Sequence, residues 1–282
     1  MPTVSEDILI NFVAHCSKIL NLHYTTIKLY LCGIRYHYIK ANCSDPLELY
    51  NDTTVPRLSL ILNSIKRSQT TSKKVRLTIT FDIREQIVFK LQKGVFSRFI
   101  DIMLVTASIV CFFGFMRCGE ITVLNVSHFD AAVNLCISDI HLSNDIATVY
   151  FKQSKTDPFR KGITIQLHKI DSLLCPYLAL SKYLRIRRTL KSHCNGTEPL
   201  FVTEDNYALQ REFFISKIRH VLDLCGFDSG QYSGHSFRIG AGTSAGQANI
   251  EDHMIKTVGR WSSDCYCTYI QTKPISSKRA QQ

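Results

Sequence analysis

The sequence lacks the features that mark secreted, membrane-spanning or zinc-stabilised proteins. It has one tryptophan, and its eleven cysteines include no CxxC pair. An odd number of cysteines without CxxC predicts neither a disulfide framework nor a zinc ribbon and favours a reducing compartment. The start of the chain has no basic n-region, and its longest uncharged run, residues 102–116, is too short to cross a bilayer. We therefore expect a soluble intracellular protein with no membrane partner.

Acidic residues are scarce relative to basic ones. Lys and Arg number 34 against 23 Asp and Glu, which gives a net charge of +11. Residues 1–75 hold nine basic and five acidic residues, so the excess is spread over both parts of the chain. A basic enzyme without a polyanionic partner has a similar composition, but an excess spread in this way suits a long polyanion. Double-stranded DNA is therefore the expected partner.

Apolar periodicity predicts a small helical domain at the start of the chain. Residues 5–41 fit two helices, and residues 56–68 fit a third that begins at a proline. The apolar positions expected inside the first and third helices are Ile8, Leu9, Phe12, Val13, Ile19, Leu20, Leu58, Leu60, Ile61, Leu62 and Ile65. Lys28, Arg35 and Lys40 lie among tyrosines on the second helix, an arrangement that suits either a phosphate backbone or a solvated face. The polar, basic stretch 68–76 reads as a linker, so we expect domains at 1–75 and 76–282.

The second part of the chain mixes helices with a few short strands. Residues 99–113 are apolar almost all round and predict a central helix that ends at Gly114. Strand-like pieces at 135–142, 147–154 and 162–167 predict an antiparallel sheet, followed by helices at 176–190 and 209–225. The expected fold class is mainly α with a small antiparallel β-sheet, α+β.

Several side chains suited to anion chemistry occur at element ends. Arg117 follows the central helix, and His235 and Arg238 form an HxxR pair that can grip one anion from a helix face. Trp261 and then Tyr269 come later. Each has an ordinary alternative: a cap or surface arginine, a satisfied helix histidine or a core tryptophan. A tyrosine attacks phosphate well only where cations stabilise its anion.

In order, these residues resemble the tyrosine recombinase (phage integrase) family. The carrying segments are FGFMRCGE with Arg117, YFKQSKTD with Lys155, GHSFRIGAGT with His235 and Arg238, GRWSS with Trp261, and CTYI with Tyr269. The resemblance spans residues 77–270, and the ending is similar to recombinases of eukaryotic mobile elements such as Cryptons. Residues 1–75 are similar to the family's core-binding domain in size and pattern. Many members have nine residues from the His/Trp position to the tyrosine, whereas eight separate Trp261 from Tyr269.

The resemblance implies a site-specific recombinase that acts through a 3′-phosphotyrosine intermediate without metal, ATP or another cofactor. Tyr269 would be the nucleophile rather than Tyr266, Arg117 and Arg238 would bind the phosphate, and Lys155 would protonate the leaving oxygen. His235 would take the tyrosine proton, and Trp261 would contact the phosphate. Glu120 would be a buried helix partner that orients Arg117. The family assembles on DNA, so a dimer or tetramer is expected, in the nucleus if the source is eukaryotic and otherwise in the cytoplasm. A domesticated DNA-binding protein without cleavage and a type IB topoisomerase are the alternatives.

Overall fold

The computed structural model describes residues 4–48, 55–69, 77–153, 161–190 and 195–261. The chain divides into two compact units, Met1–Lys74 and Val75–Gln282. The division falls one residue before the boundary expected from the polar stretch. Among the described residues no helix is long and apolar enough to span a membrane.

The described part of the first unit contains three helices: α1, Glu6–Lys18; α2, Tyr24–Lys40; and α3, Pro56–Ser68. Ser5 caps α1 through its side chain, and Pro56 starts α3, where the missing N–H costs nothing. The Glu6 carboxylate accepts the Leu58 N–H at 3.0 Å and so connects the starts of α1 and α3. The buried core of this unit consists of Leu9, Val13, Cys16, Ile27, Leu31, Val55 and Leu58.

Part of the expected apolar face of the first unit is wrong. Ile8, Ile19, Leu20 and Leu60 are 51–71% exposed rather than buried. Ile19 and Leu20 lie beyond the end of α1, just before Asn21, whose backbone is in the left-handed region (φ 48°). Residues beyond the end of a helix do not follow its 3.6-residue periodicity, so the buried face predicted for Ile19 and Leu20 from that periodicity does not apply to them.

The second unit is built on α5, Arg98–Phe113, which is buried along nearly its whole length. It packs against α4, Phe81–Gln92; α7, Pro176–Leu190; and α9, Ser236–Gln247. The remaining helices are α6, Cys118–Ile121; α8, Arg211–Leu224; and α10, Asp252–Gly259. α8 starts two residues later than predicted because the backbone of Leu209 is already paired elsewhere. Its N–H donates to the Phe201 carbonyl, and its carbonyl accepts the Val123 N–H.

A three-stranded antiparallel sheet completes this unit, with β1 at Ile140–Ser143, β2 at Ile146–Phe151 and β3 at Ile163–His168. Val149 pairs with Ile140 on one side and Ile165 on the other, and all described inward positions of β2 are buried. The predicted first strand at 135–142 is wrong over its first part, where Ile137–Asp139 form a 3₁₀ turn. Because Asp139 accepts the Cys136 N–H, that stretch turns back on itself before the sheet begins. The α+β fold class is confirmed.

Helix α9 packs against the segment that enters the second unit. The Ile79 N–H donates to the Ser236 carbonyl at 3.0 Å, and the Ser236 hydroxyl donates to the Leu77 carbonyl at 2.8 Å. A Cβ atom on Gly240 would lie 1.8 Å from the Ile79 carbonyl oxygen. Only glycine therefore fits this approach, which fixes the start of α9 and its HxxR pair against the core.

Candidate active site

Arg117 and Glu120 form the first half of the site at the short helix α6. The Arg117 N–H donates to Glu120 Oε2 at 2.8 Å, and Arg117 Nη1 lies 3.2 Å from Oε1. The Glu120 side chain is 10% exposed and that of Arg117 is 22% exposed. The carboxylate therefore holds both the backbone and the guanidinium of Arg117, as expected for a partner that orients it.

The turn before Arg117 has an unusual backbone. At the end of α5 the Met116 N–H donates to the Cys111 carbonyl, and the Phe115 N–H donates to the Phe112 carbonyl. The backbone of Phe115 is left-handed, with φ 48°. This closure normally places glycine at the left-handed position. A bulky residue there costs energy and is often found at functional sites. The conformation turns the Phe115 carbonyl towards the arginines described next.

Arg238 comes to this turn from α9, more than a hundred residues along the chain. Its Nη1 donates to the Phe115 carbonyl and its Nη2 to the Gly259 carbonyl. The residue is 4% exposed, and its guanidinium carbon lies 4.6 Å from the Trp261 ring centroid. Two backbone carbonyls and an aromatic face thus fix the orientation of this cation.

Trp261 is a buried packing residue beside Arg238. It is 8% exposed and meets Phe115 edge-to-face at 5.9 Å between centroids. A Cβ on Gly259 would lie 1.7 Å from the indole ring, so the glycine makes room for it. The described contacts of the ring support the core interpretation and also place it against the predicted phosphate-binding arginine.

His235 precedes α9 at its N-cap position and is exposed, whereas Arg238 is buried. The two residues therefore lie at one helix start but differ in access to solvent. A side chain that exchanges a proton with a substrate needs such access, while a buried guanidinium acts as a fixed charge.

Two of the predicted site residues, Lys155 and Tyr269, lie outside the described residues, and so does Tyr266. Lys152, a described lysine near that position, directly follows β2 and is bound to other groups. Its Nζ pairs with the Asp139 carboxylate and donates to the Asn134 carbonyl at 3.2 Å. These contacts connect Lys152, just after β2, to the segment before β1.

Arg260 is a site residue that the sequence reasoning missed. Its Nη2 lies 3.0 Å from Glu120 Oε2 and 3.2 Å from the Phe115 carbonyl, and its side chain is 10% exposed. Burial lowers the pKa of Arg260 below the usual value of arginine, while Glu120 opposes that shift and Arg117 adds to it. The sequence contained one indication of this residue, its spacing. Arg260, and not Trp261, lies nine residues before Tyr269, which is the separation that many family members have between the His/Trp position and the tyrosine.

The described part of the site is strongly cationic. The guanidiniums of Arg117 and Arg260 contact the Glu120 carboxylate, and those of Arg238 and Arg260 donate to the Phe115 carbonyl. We call these five residues the arginine cluster. Among the described residues no group of His, Cys, Asp or Glu is arranged to hold a metal ion. The cluster is suited to binding an oxyanion.

Solved structures of recombinases share this fold. The XerH site-specific recombinase bound to palindromic difH substrate, in a post-cleavage complex, is 18% identical with a TM-score of 0.66, covering 99% of this chain and 69% of that one. The Tn1549 transposon integrase in complex with transposon right end DNA is 13% identical with a TM-score of 0.64, covering 100% and 86%. A lambda integrase dimer bound to a core site is 15% identical with a TM-score of 0.54, covering 95% and 65%.

No protein-family model matches the sequence, and no curated protein matches it either. The structural likeness nevertheless shows the fold of the family that the sequence motifs resemble. The chain has the tyrosine recombinase fold.

Proposed function

We propose that this chain is a site-specific DNA recombinase of the mobile-element type, which cleaves and rejoins DNA through a covalent 3′-phosphotyrosine. The observation that carries the proposal is the convergence of Arg117 and Arg238. Arg117 lies at the start of α6, and Arg238 lies on α9. The Phe115 carbonyl, in the turn before Arg117, accepts a hydrogen bond from Arg238. Two fixed guanidiniums beside one turn suit the two non-bridging oxygens of a phosphodiester.

In the proposed reaction the Tyr269 oxygen attacks phosphorus and forms a new P–O bond, while the bond to the 5′ oxygen breaks. The tyrosine proton passes to His235, and Lys155 supplies a proton to the leaving 5′ oxygen. Attack by the 5′ hydroxyl of another strand reverses these transfers and releases the enzyme. One phosphodiester is exchanged for another, so the reaction requires neither ATP nor an oxidant.

The arginine cluster supports this chemistry electrostatically. Charge builds on the non-bridging oxygens as the tyrosine attacks, and guanidiniums that are already held in place stabilise it without reorganising. Arg238 donates to two backbone carbonyls, which hold its guanidinium in place. We infer that Trp261 acts mainly by packing against Arg238, at 4.6 Å from the guanidinium carbon.

Double-stranded DNA is the proposed substrate of the whole chain. The net charge of +11 provides the general attraction to phosphates, and three neighbours in the structural comparison are complexes with DNA. We propose that the first unit binds the backbone and that the chain assembles on its site as a dimer or tetramer.

A nicked suicide duplex tests the proposed function, because loss of the short fragment beyond the nick traps the covalent intermediate. The wild-type chain should form a protein–DNA adduct, and Tyr269→Phe should bind DNA yet form none. Tyr266→Phe is the matched control and should still form the adduct. An adduct that persists in Tyr269→Phe, or that peptide sequencing maps to Tyr266, would contradict the assignment.

The same assay separates the alternatives. DNA binding by the wild-type chain without any adduct would indicate a DNA-binding protein that does not cleave. Relaxation of supercoiled plasmid that lacks a recombination site would indicate a topoisomerase.

A further inference from the structure

We propose that Arg260 is a positioning residue that shares the Glu120 carboxylate, so that Arg117 keeps enough positive charge to bind a phosphate. This inference rests on the proposed function of the arginine cluster as the phosphate site. Its basis is the geometry at one carboxylate. Glu120 Oε2 accepts both the Arg117 N–H at 2.8 Å and Arg260 Nη2 at 3.0 Å, while Oε1 faces Arg117 Nη1 at 3.2 Å.

A one-to-one pair of Arg117 and Glu120 would be a poor anion site. The carboxylate is needed to orient the arginine, but its negative charge offsets the positive charge that a phosphate would feel. This opposition is strong because Glu120 is only 10% exposed and solvent screens it weakly. A second guanidinium on the same carboxylate keeps the orientation and restores the positive potential.

The position of Arg260 is costly for an arginine that only packs. Its backbone is left-handed (φ 55°, ψ 45°) at the end of α10, where glycine is favoured. Within the described residues its buried Nε–H has no hydrogen-bond partner. A hydrophobic side chain against Phe151, whose ring centroid lies 5.6 Å from the guanidinium carbon, would avoid the second of these costs, the unsatisfied buried Nε–H. The charge of Arg260 is therefore the property that its contacts use.

The charge balance shows what Arg260 adds. With it, the described arginine cluster carries two net positive charges, and without it the cluster carries one. A phosphodiester brings one negative charge, and more builds on its oxygens during attack. We infer that Arg260 contributes the second net charge while touching Glu120 and Phe115 rather than the substrate.

Three variants separate this charge effect from simple packing. Arg260→Gln lowers the cluster to one net charge, and Arg260→Lys retains both charges with a smaller side chain. The double variant Glu120→Gln/Arg260→Gln also retains two net charges, because the carboxylate is removed with the guanidinium. The glutamine carbonyl at 120 can still accept the Arg117 N–H. Arg185→Gln, an exposed arginine on α7, is the matched control for the total charge of the protein.

Two readouts are needed: thermal stabilisation by inorganic phosphate at constant ionic strength, and the rate of adduct formation on the nicked duplex. Arg260→Gln should weaken phosphate binding and slow the adduct by about tenfold. Arg260→Lys and the double variant should recover most of this loss, and Arg185→Gln should behave as wild type. A structural role predicts the opposite order, because the double variant removes more contacts than the single one.

A double variant as impaired as Arg260→Gln, or more so, would overturn the inference. So would a wild-type chain that phosphate does not stabilise. If phosphate binding follows the expected order but the wild-type chain forms no adduct, the inference stands and the proposed recombinase function fails.

Discussion

Arg84 and Arg260 lie in different environments within the second unit. Arg84 on α4 is fully buried, and its guanidinium carbon lies 4.3 Å from the ring centroids of Phe81 and Phe112 and 4.6 Å from that of Phe113. None of its three guanidinium nitrogens has a hydrogen-bond partner among the described residues. Arg260, in contrast, donates to a carboxylate and a carbonyl.

The difference shows what each environment does with a charge. Burial lowers the pKa of Arg84 to about 10, with Glu85 opposing the shift, so the group remains charged at neutral pH but at a cost. Aromatic faces attract the cation and fill the space around it, yet they hold it away from any substrate. In the arginine cluster, oriented carbonyl and carboxylate oxygens hold the guanidiniums instead, and the charged groups lie beside one turn of the chain. We therefore expect Arg84 to affect stability and the arginine cluster to affect chemistry.

The largest expected effect is at Arg238. Arg238→Gln should slow adduct formation by about 10²–10³-fold, because one preorganised donor to the phosphate is lost. Arg238 also ties α9 to the Phe115 and Gly259 carbonyls, so the fraction of folded protein must be measured alongside the rate. Arg84→Met serves as the control, and a similar loss in that variant would break the comparison.

Substitutions at Arg84 should act on stability and leave the chemistry unchanged. Arg84→Ala should lower the free energy of unfolding by about 3 kcal/mol, because the three rings lose the side chain that fills the space between them. Arg84→Met fills that space without a buried charge and should raise the free energy of unfolding by about 1 kcal/mol. Urea denaturation measures both values. A strongly destabilised Arg84→Met would show that the guanidinium has a role beyond packing.

The smallest expected effect comes from chelators. If the arginine cluster supplies the positive charge that stabilises the reacting phosphate, then EDTA should change the adduct rate by less than about twofold. The comparison is made on protein purified without added metal, with and without magnesium. Loss of activity in EDTA that magnesium restores would show that the cluster is insufficient.

Much of the second unit could be predicted from local patterns. Helix α5 ends before Gly114 and α7 begins at Pro176, because glycine is a poor helix former and proline fits the first turn of a helix but not its interior. The strand positions Val149, Ile165 and Leu167 are buried as their alternation predicts. Failures occurred where a hydrogen bond overrides the pattern: a local one from the Cys136 N–H to Asp139 at residues 135–139, and long-range backbone bonds of Leu209 at the start of α8.

The candidate site could be predicted only in part. Arg117 and Glu120 are one helical turn apart, so their pairing follows from the sequence. Arg260 joins the same carboxylate from 140 residues away. No local rule predicts that contact, and the nine-residue spacing to Tyr269 was the only indication of it. The roles of Lys155, His235 and Tyr269 remain predictions for the experiments above.

The sequence by itself determined the mainly helical fold with its small sheet, the Arg117–Glu120 pair and the order of the residues that resemble a recombinase. These features depend on spacing within a few turns of chain, where covalent geometry leaves few choices. Only the tertiary structure decided that Phe115 and Arg260 adopt left-handed conformations and meet, that Trp261 packs on Arg238, and that Arg260 joins Arg117 on the Glu120 carboxylate. Such contacts depend on how distant elements pack, and packing selects among conformations that local sequence permits almost equally.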